Sequence, residues 1–297
     1  MKQLTVAVSS DADADVLYAG LHDLLKRNEK NYHAEITRSH RHLIELRFVE
    51  SDHINNNIEI SWTMEVAHLI SMFIVNHKES LIIRKIILKQ HNTYEEHELS
   101  EIMQYCKQLL MDTEACLDSL DQGRCTMISN QLAIYLQSNS HIDVEGFVHF
   151  RLKKYMNDLQ DVIDDARNEF LLNEQYQEFI ALLKYFVYFQ DTKIPEVHLI
   201  HQGNNKFQLL DGNLQQLDIS ESRDVIVETI DRELNYEDMV VSALISASPK
   251  QIHIHTRDPE TQSIKTIQQI FEGRTLICNC CKLCKPSLGE WQAERLT

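Results

Sequence analysis

The chain is poor in the residues that break regular structure, with seven glycines and four prolines among 297 residues. That scarcity excludes a collagen-like or Pro/Gly-rich low-complexity architecture and, with 43% hydrophobic content, points to folded domains. Basic residues are also in deficit. The 29 Lys and Arg stand against 45 Asp and Glu, a net charge of −16. No nucleic-acid partner is expected, because an acidic surface disfavours nonspecific binding to phosphate backbones or anionic membranes, and a protein partner with basic character fits better. The motifs G-x-x-x-x-G-K-S/T, G-x-G-x-x-G, H-E-x-x-H and G-x-S-x-G are missing, which removes the usual anchors of nucleotide, zinc-protease and serine-hydrolase chemistry. No apolar run reaches the length that spans a bilayer, and Met1-Lys2-Gln3 leads into a strand without a signal-peptide core. The expectation is a cytoplasmic protein with no transmembrane segment, whose seven cysteines are thiols or metal ligands rather than disulfides.

What is present reads as an α+β chain with three parts: an N-terminal α/β lobe over 1–112, an all-helical centre over 113–193, and a C-terminal α/β lobe over 194–297 that ends in a cysteine-rich tail. Gln3–Val8 is strand-like, Ser9-Ser10-Asp11 offers helix caps, and strands at Asn31–Ile36 and Leu43–Phe48 precede a helix over Trp62–Asn76. Leu81–Leu88 is too short for periodicity to decide between strand and helix. Helices follow over Glu95–Met111 and Arg124–Gln137. Beyond Pro195, strands at Val197–His201, Phe207–Leu210 and Leu214–Ile219 form a meander. Helices near Arg223–Leu234 and Tyr236–Ala247 come next, then a strand at Gln251–Thr256, a helix at Thr261–Phe271 capped by Gly273, and a strand at Thr275–Cys278.

The most patterned stretch begins at Val144. Val148, Leu152, Tyr155, Leu159, Val162, Ala166 and Phe170 recur in steps of three and four and mark one helical face. A second run, Tyr176, Phe179, Ile180, Leu183, Phe186 and Val187, follows a break near Asn173, so two antiparallel helices are expected, with Phe150 and Phe186 in their core. Arg151, between Phe147 and Tyr155, is then expected to pair with Glu174 or Glu178 on the second helix as a helix clamp, or else to read an anion. The phrases Gly146-Phe147-Val148-His149-Phe150-Arg151-Leu152-Lys153-Lys154-Tyr155 and Tyr176-Gln177-Glu178-Phe179-Ile180-Ala181-Leu182-Leu183-Lys184-Tyr185-Phe186-Val187 resemble the signature of the YtxC-like family of sporulation proteins from endospore-forming bacteria. The family pattern has an acidic residue before Tyr176, where this chain has Gln175. The resemblance implies a sporulation-associated accessory or regulatory protein and supplies no catalytic residue.

Two constellations carry chemistry. Cys278, Cys281 and Cys284 form overlapping C-x-x-C units whose thiolates are able to converge on one soft ion such as zinc, with His253 or His255 as a fourth ligand. An iron–sulfur cluster lacks its fourth cysteine before Pro286. The rival reading is a tail of free thiols. Asp161, Asp164, Asp165 and Glu169 share a helical face, with Glu174 and Glu178 further on, and offer a metal-dependent enzyme; in a chain this acidic a solvated face is the simpler reading and needs no catalytic explanation. The alternating pairs His40/His42 and His253/His255 read as surface positions first.

Overall fold

The computed structural model describes residues 3–28, 33–39, 42–49, 56–90, 93–115, 123–203, 206–217, 236–278 and 281–284. The fold is mixed α+β. The chain divides into two compact units, Met1–Leu172 and Asn173–Thr297, where three lobes were expected. The reason lies in the apolar faces. The face from Val148 to Phe170 joins the same buried cluster as Leu4, Val6, Ile44 and Leu46 of the N-terminal strands, whereas Ile180 and Val187 belong to a second cluster with Val197, Leu199, Ile252 and Ile254.

Unit 1 is built on a four-stranded sheet of β1 (Gln3–Ala7), β2 (His33–Ser39), β3 (Leu43–Val49) and β4 (His141–Asp143) in the order β2-β3-β1-β4. β1 runs antiparallel to β3 and parallel to β4. Leu4 and Val6 alternate with more exposed neighbours, the period-two signature of a sheet with one face in the core. Helix α1 (Asp11–Arg27) starts where expected: Ser10 caps it by accepting from the Asp13 amide. Helix α2 (Asn56–Phe73) runs through a π-helical turn, Ile74–Lys78, into α3 (Glu79–Gln90), so the ambiguous Leu81–Leu88 segment is helical. Trp62–Gln90 is thus long and apolar enough, by length and composition alone, to cross a membrane, which was not expected of any segment; half of its most apolar window is buried within the protein, as in a core helix. Helices α4 (Glu96–Ala115) and α5 (Arg124–Ser138) agree with the sequence reading.

The signature stretch forms α6 (Val144–Arg151) and, after a break at Leu152, α7 (Lys153–Phe189). Asp143 caps α6 through the Gly146 amide, and a Cβ at Gly146 would stand 2.8 Å from Asp143 Oδ1, so this position takes only glycine without displacing the cap. The expected turn near Asn173 is not there. No proline or glycine interrupts 153–189, and an Asn in a helix interior costs only about 0.5–0.7 kcal/mol relative to Ala, which long helices absorb. Without an antiparallel neighbour the expected burial of two phenylalanines is overturned: Phe150 is 70% and Phe186 54% exposed.

Unit 2 contains a second four-stranded sheet, β5 (Ile194–His201), β6 (Phe207–Asp211), β7 (Pro249–His255) and β8 (Thr275–Ile277), in the order β6-β5-β7-β8. β5, β7 and β8 are parallel, and β6 closes a hairpin onto β5. The third meander strand is replaced by one bridge, Leu210 to Gln216, with residues 218–219 outside the described set. The helix expected near Arg223–Leu234 also lies outside it. Helices α8 (Tyr236–Ala247) and α9 (Gln262–Ile270) contribute Val240, Leu244, Ile264 and Ile267 to the same core as Val197, Leu199, Ile252 and Ile254. Alternation along β5 and β7 therefore places Glu196, His198, His253 and His255 on the opposite face. Gly273, at φ +77°, turns the chain from α9 toward β8 as a left-handed residue after a helix should.

Candidate metal centre

The cysteine run meets the sheet at the carboxyl ends of two adjacent parallel strands, where loops of α/β sheets converge on ligands. His255 is the last residue of β7, and Cys278 follows the last residue of β8. The ladder continues one step further, because the Cys278 amide donates to the Ile254 carbonyl at 2.8 Å, fixing this thiol beside His255. Cys281 and Cys284 stand beside them, tied to each other by a bond from the Cys284 amide to the Cys281 carbonyl.

Ligand atoms of His255, Cys278, Cys281 and Cys284 all lie within 4.8 Å of one another, and His255 and Cys284 are buried. Cys278 Sγ is 3.7 Å and Cys281 Sγ 3.8 Å from Cys284 Sγ. His255 Nδ1 is 3.3 Å from Cys284 Sγ and 3.6 Å from Cys281 Sγ. Zinc bonds of about 2.3 Å to sulfur and 2.0–2.1 Å to nitrogen in a tetrahedron require edges of roughly 3.8 Å between sulfurs and 3.5–3.6 Å between sulfur and nitrogen. The side chains fit a tetrahedral ion. Burial works against a thiolate at Cys281, yet amide donors from Cys284 and Leu283 and the neighbouring thiols outweigh it and hold this thiol below its ordinary pKa. Burial pushes the Cys284 thiol up to about 11, and the neighbouring thiols add to the rise.

Of the two histidines offered by the sequence, the structure selects His255. His253 sits one pleat earlier and its Nε2 meets Glu196 Oε2 at 3.3 Å. His198, which sequence reasoning passed over, stands between them in space: its Nδ1 is 3.0 Å from His255 Nε2, and its ring stacks on His253 with centroids 5.0 Å apart. Burial first, and then the charges of neighbouring histidines, keep both His198 and His255 below the usual imidazole pKa, with Glu196 opposing at His198. Cys280 lies outside the described residues. Among those described, this is the one group with metal-ligand geometry.

The other candidates are not brought together in this way. Asp161, Asp164, Asp165 and Glu169 are exposed on α7, where Asp164 accepts from Gln160 and pairs with Arg167. Glu174 and Glu178 are exposed as well. His42 turns with φ +66° toward Asp11 rather than alternating on a strand, and His40 lies outside the described residues. Arg151 is exposed with its guanidinium 5.8 Å from the Tyr135 ring, and without an antiparallel partner helix the expected carboxylate clamp does not form. The remaining signature residues divide by role. Phe147 is buried edge-on to Tyr135, and fully buried Tyr155 donates to Glu79 Oε2 at 2.9 Å beside Arg124. Tyr176 meets Thr266 Oγ1 at 2.6 Å, whereas Phe179 is 56% exposed.

A second polar centre, in unit 1, had no forecast. Lys78, only 7% exposed, reaches Asp13 Oδ2 at 2.6 Å, Glu145 Oε1 at 2.7 Å and Ser9 Oγ at 3.0 Å. The signal that could have found it is a lysine four residues after Ile74, on the buried side of an apolar helix.

Comparison with known proteins agrees with the signature. The profile of the YtxC-like family matches residues 64–275. The chain is 29% identical over 133 residues to the uncharacterized protein YtxC of Bacillus subtilis (strain 168), an alignment spanning 44% of this chain and 46% of that protein. The match thus covers less than half the length of that relative. No solved structure matches.

Proposed function

The chain belongs to the YtxC-like family, and we propose that it is a zinc-binding, non-catalytic accessory or regulatory protein whose metal is held by Cys278, Cys281, Cys284 and His255. The observation that carries this reading is the set of sulfur–sulfur and sulfur–nitrogen separations, which match the edges of a zinc tetrahedron. Four protein ligands fill the coordination sphere, leaving no position for a water or substrate, which favours a structural or sensing metal over a catalytic one. Zinc joins the ends of β7 and β8 to residues 281–284 and so ties that short stretch to the sheet through the metal. The solvated acids of α7 add no second metal-dependent chemistry. A cytoplasmic setting suits a site of reduced thiols, and the signature's likeness supports a role in sporulation exerted through a protein partner.

Native mass spectrometry on the purified chain tests the site. One zinc per chain is expected, lost in Cys281→Ser and retained in Cys106→Ser, since Cys106 is buried in the core of unit 1 and burial pushes its thiol up to about 11. Equal loading of the two variants would sink the ligand assignment.

A further inference from the structure

Coordination through Nδ1 decides where the proton of His255 must be. Nδ1 is the ring nitrogen that faces Cys281 and Cys284, and a nitrogen that gives its lone pair to a metal carries no proton, so the neutral ring bears its proton on Nε2. Nε2 stands 3.0 Å from Nδ1 of His198. Resting on the Cys3His reading above, we propose that His198 is the positioning residue of this centre: its Nδ1 accepts the Nε2–H of His255, fixes the ligating tautomer and aims Nδ1 at the thiols.

The fold supplies His198 from a different element. On β5 it lies in register with His253, on the face that β7 gives to His255. Its own ring is held in turn, stacked at 24° on His253, whose Nε2 is anchored by Glu196. Accepting through Nδ1 places the proton of His198 on its own Nε2, so the acceptor is a neutral imidazole. Metal-bound histidines generally donate their second N–H to an acceptor that orients the ring, usually a carboxylate, a backbone carbonyl or water. Here three thiolates already overbalance a dication, and a neutral acceptor orients His255 without adding a further negative charge at the site.

The test compares His198→Leu, which removes the acceptor, with His198→Asn, whose Oδ1 takes the place of Nδ1. Zinc affinity is read by competition with a chromophoric chelator, and ligand geometry from the absorption bands of the cobalt-loaded protein. His198→Leu is expected to weaken zinc binding about 10–100-fold, the range for loss of such a partner, and to alter the cobalt spectrum, while His198→Asn restores both. A wild-type chain that holds one zinc while His198→Leu holds it with the same affinity and spectrum would overturn the positioning role alone. A leucine variant that is weakened and not rescued by asparagine would likewise overturn it, reducing His198 to packing. A wild-type chain that takes no zinc would overturn the metal site itself and the inference with it.

Discussion

Both units place a polar centre at the carboxyl ends of two adjacent parallel strands, and they satisfy it in opposite ways. In unit 1 the ends of β1 and β4 lead into Ser9, Asp13 and Glu145, and Lys78 from the π-helical turn fills the space with a cation of the chain's own. The two carboxylates also sit in the first turns of α1 and α6, where the helix dipoles favour negative charge. Unit 2 gathers three thiols and an imidazole at the ends of β7 and β8, and the neighbouring Lys282 is exposed. Strand ends supply convergence in either case. Whether convergence becomes a binding site depends on whether the protein has already filled it with its own charge.

The largest effect should come from emptying the filled centre. Lys78→Met leaves Asp13 and Glu145 side by side without their cation, and breaking a buried pair costs about 3–5 kcal/mol; the Glu145 side chain is 35% exposed, so the low end, about 3 kcal/mol, is expected. Urea midpoints measure it. Adding Asp13→Asn and Glu145→Gln should recover most of the loss, because an all-neutral set has no uncompensated charge. An unchanged midpoint in the single variant would mean that the ion cluster does not organise unit 1.

Acid should then separate the units. Burial works to raise Asp13 and Glu145, but hydrogen bonds from Lys78 and nearby serines together with the Lys78 charge overcome it and hold both below the ordinary carboxylate values; burial likewise works to lower Lys78, and the two carboxylates overcome it and raise that lysine. Their stabilisation is present above the unfolded carboxylate values and below the unfolded lysine value, and so persists at mildly acidic pH. His198 and His255 are lowered instead, chiefly by burial. Below their ordinary value of 6.5 the unfolded chain binds more protons than the folded one, and stability falls as pH falls. In metal-free protein, amide protection factors, corrected for the slower intrinsic exchange at lower pH, should fall in β5 and β7 between about pH 7 and pH 5.5 while those in β1 and β4 hold. Parallel loss of protection in both sheets would erase the distinction.

The sequence made local features legible and left non-local ones hidden. Ser10 as a cap, the stripe from Leu152 to Phe170 and the C-x-x-C spacing depend on neighbours within a few residues, and they appear as read except that Ile163, not the half-buried Val162, fills the core at that point of the stripe. The choice of His255 over His253 depends on which one ends β7, and the role of His198 depends on the β5–β7 register, which no local pattern encodes. β4 has three residues with Ile142 alone buried, too few to display a period. The π-helical turn delivers Lys78 and Glu79 to two different partner sets, Asp13 with Glu145 and Tyr155 with Arg124, through a shift of register that an ideal 3.6-residue repeat does not anticipate.

The smallest expected effect concerns Phe150 of unit 1. Val148 and Leu152 are both buried, and a residue two positions from each lies roughly 200° around the helix from either one. The stripe itself therefore assigns Phe150 to the outer side, where it is 70% exposed and meets only the edge of His149 among aromatic rings of the described residues. Apolar periodicity in a two-helix core was the ground for expecting Phe150 inside, yet its own phase relative to Val148 and Leu152 contradicts that. Truncation of an exposed side chain creates no cavity, so Phe150→Ala should move the urea midpoint by less than the equivalent of about 0.5 kcal/mol, while Leu152→Ala, fully buried two residues on, should cost about 2–5 kcal/mol. A large loss from Phe150→Ala would show that this ring is covered in solution and that the helical centre packs beyond the face assigned to unit 1.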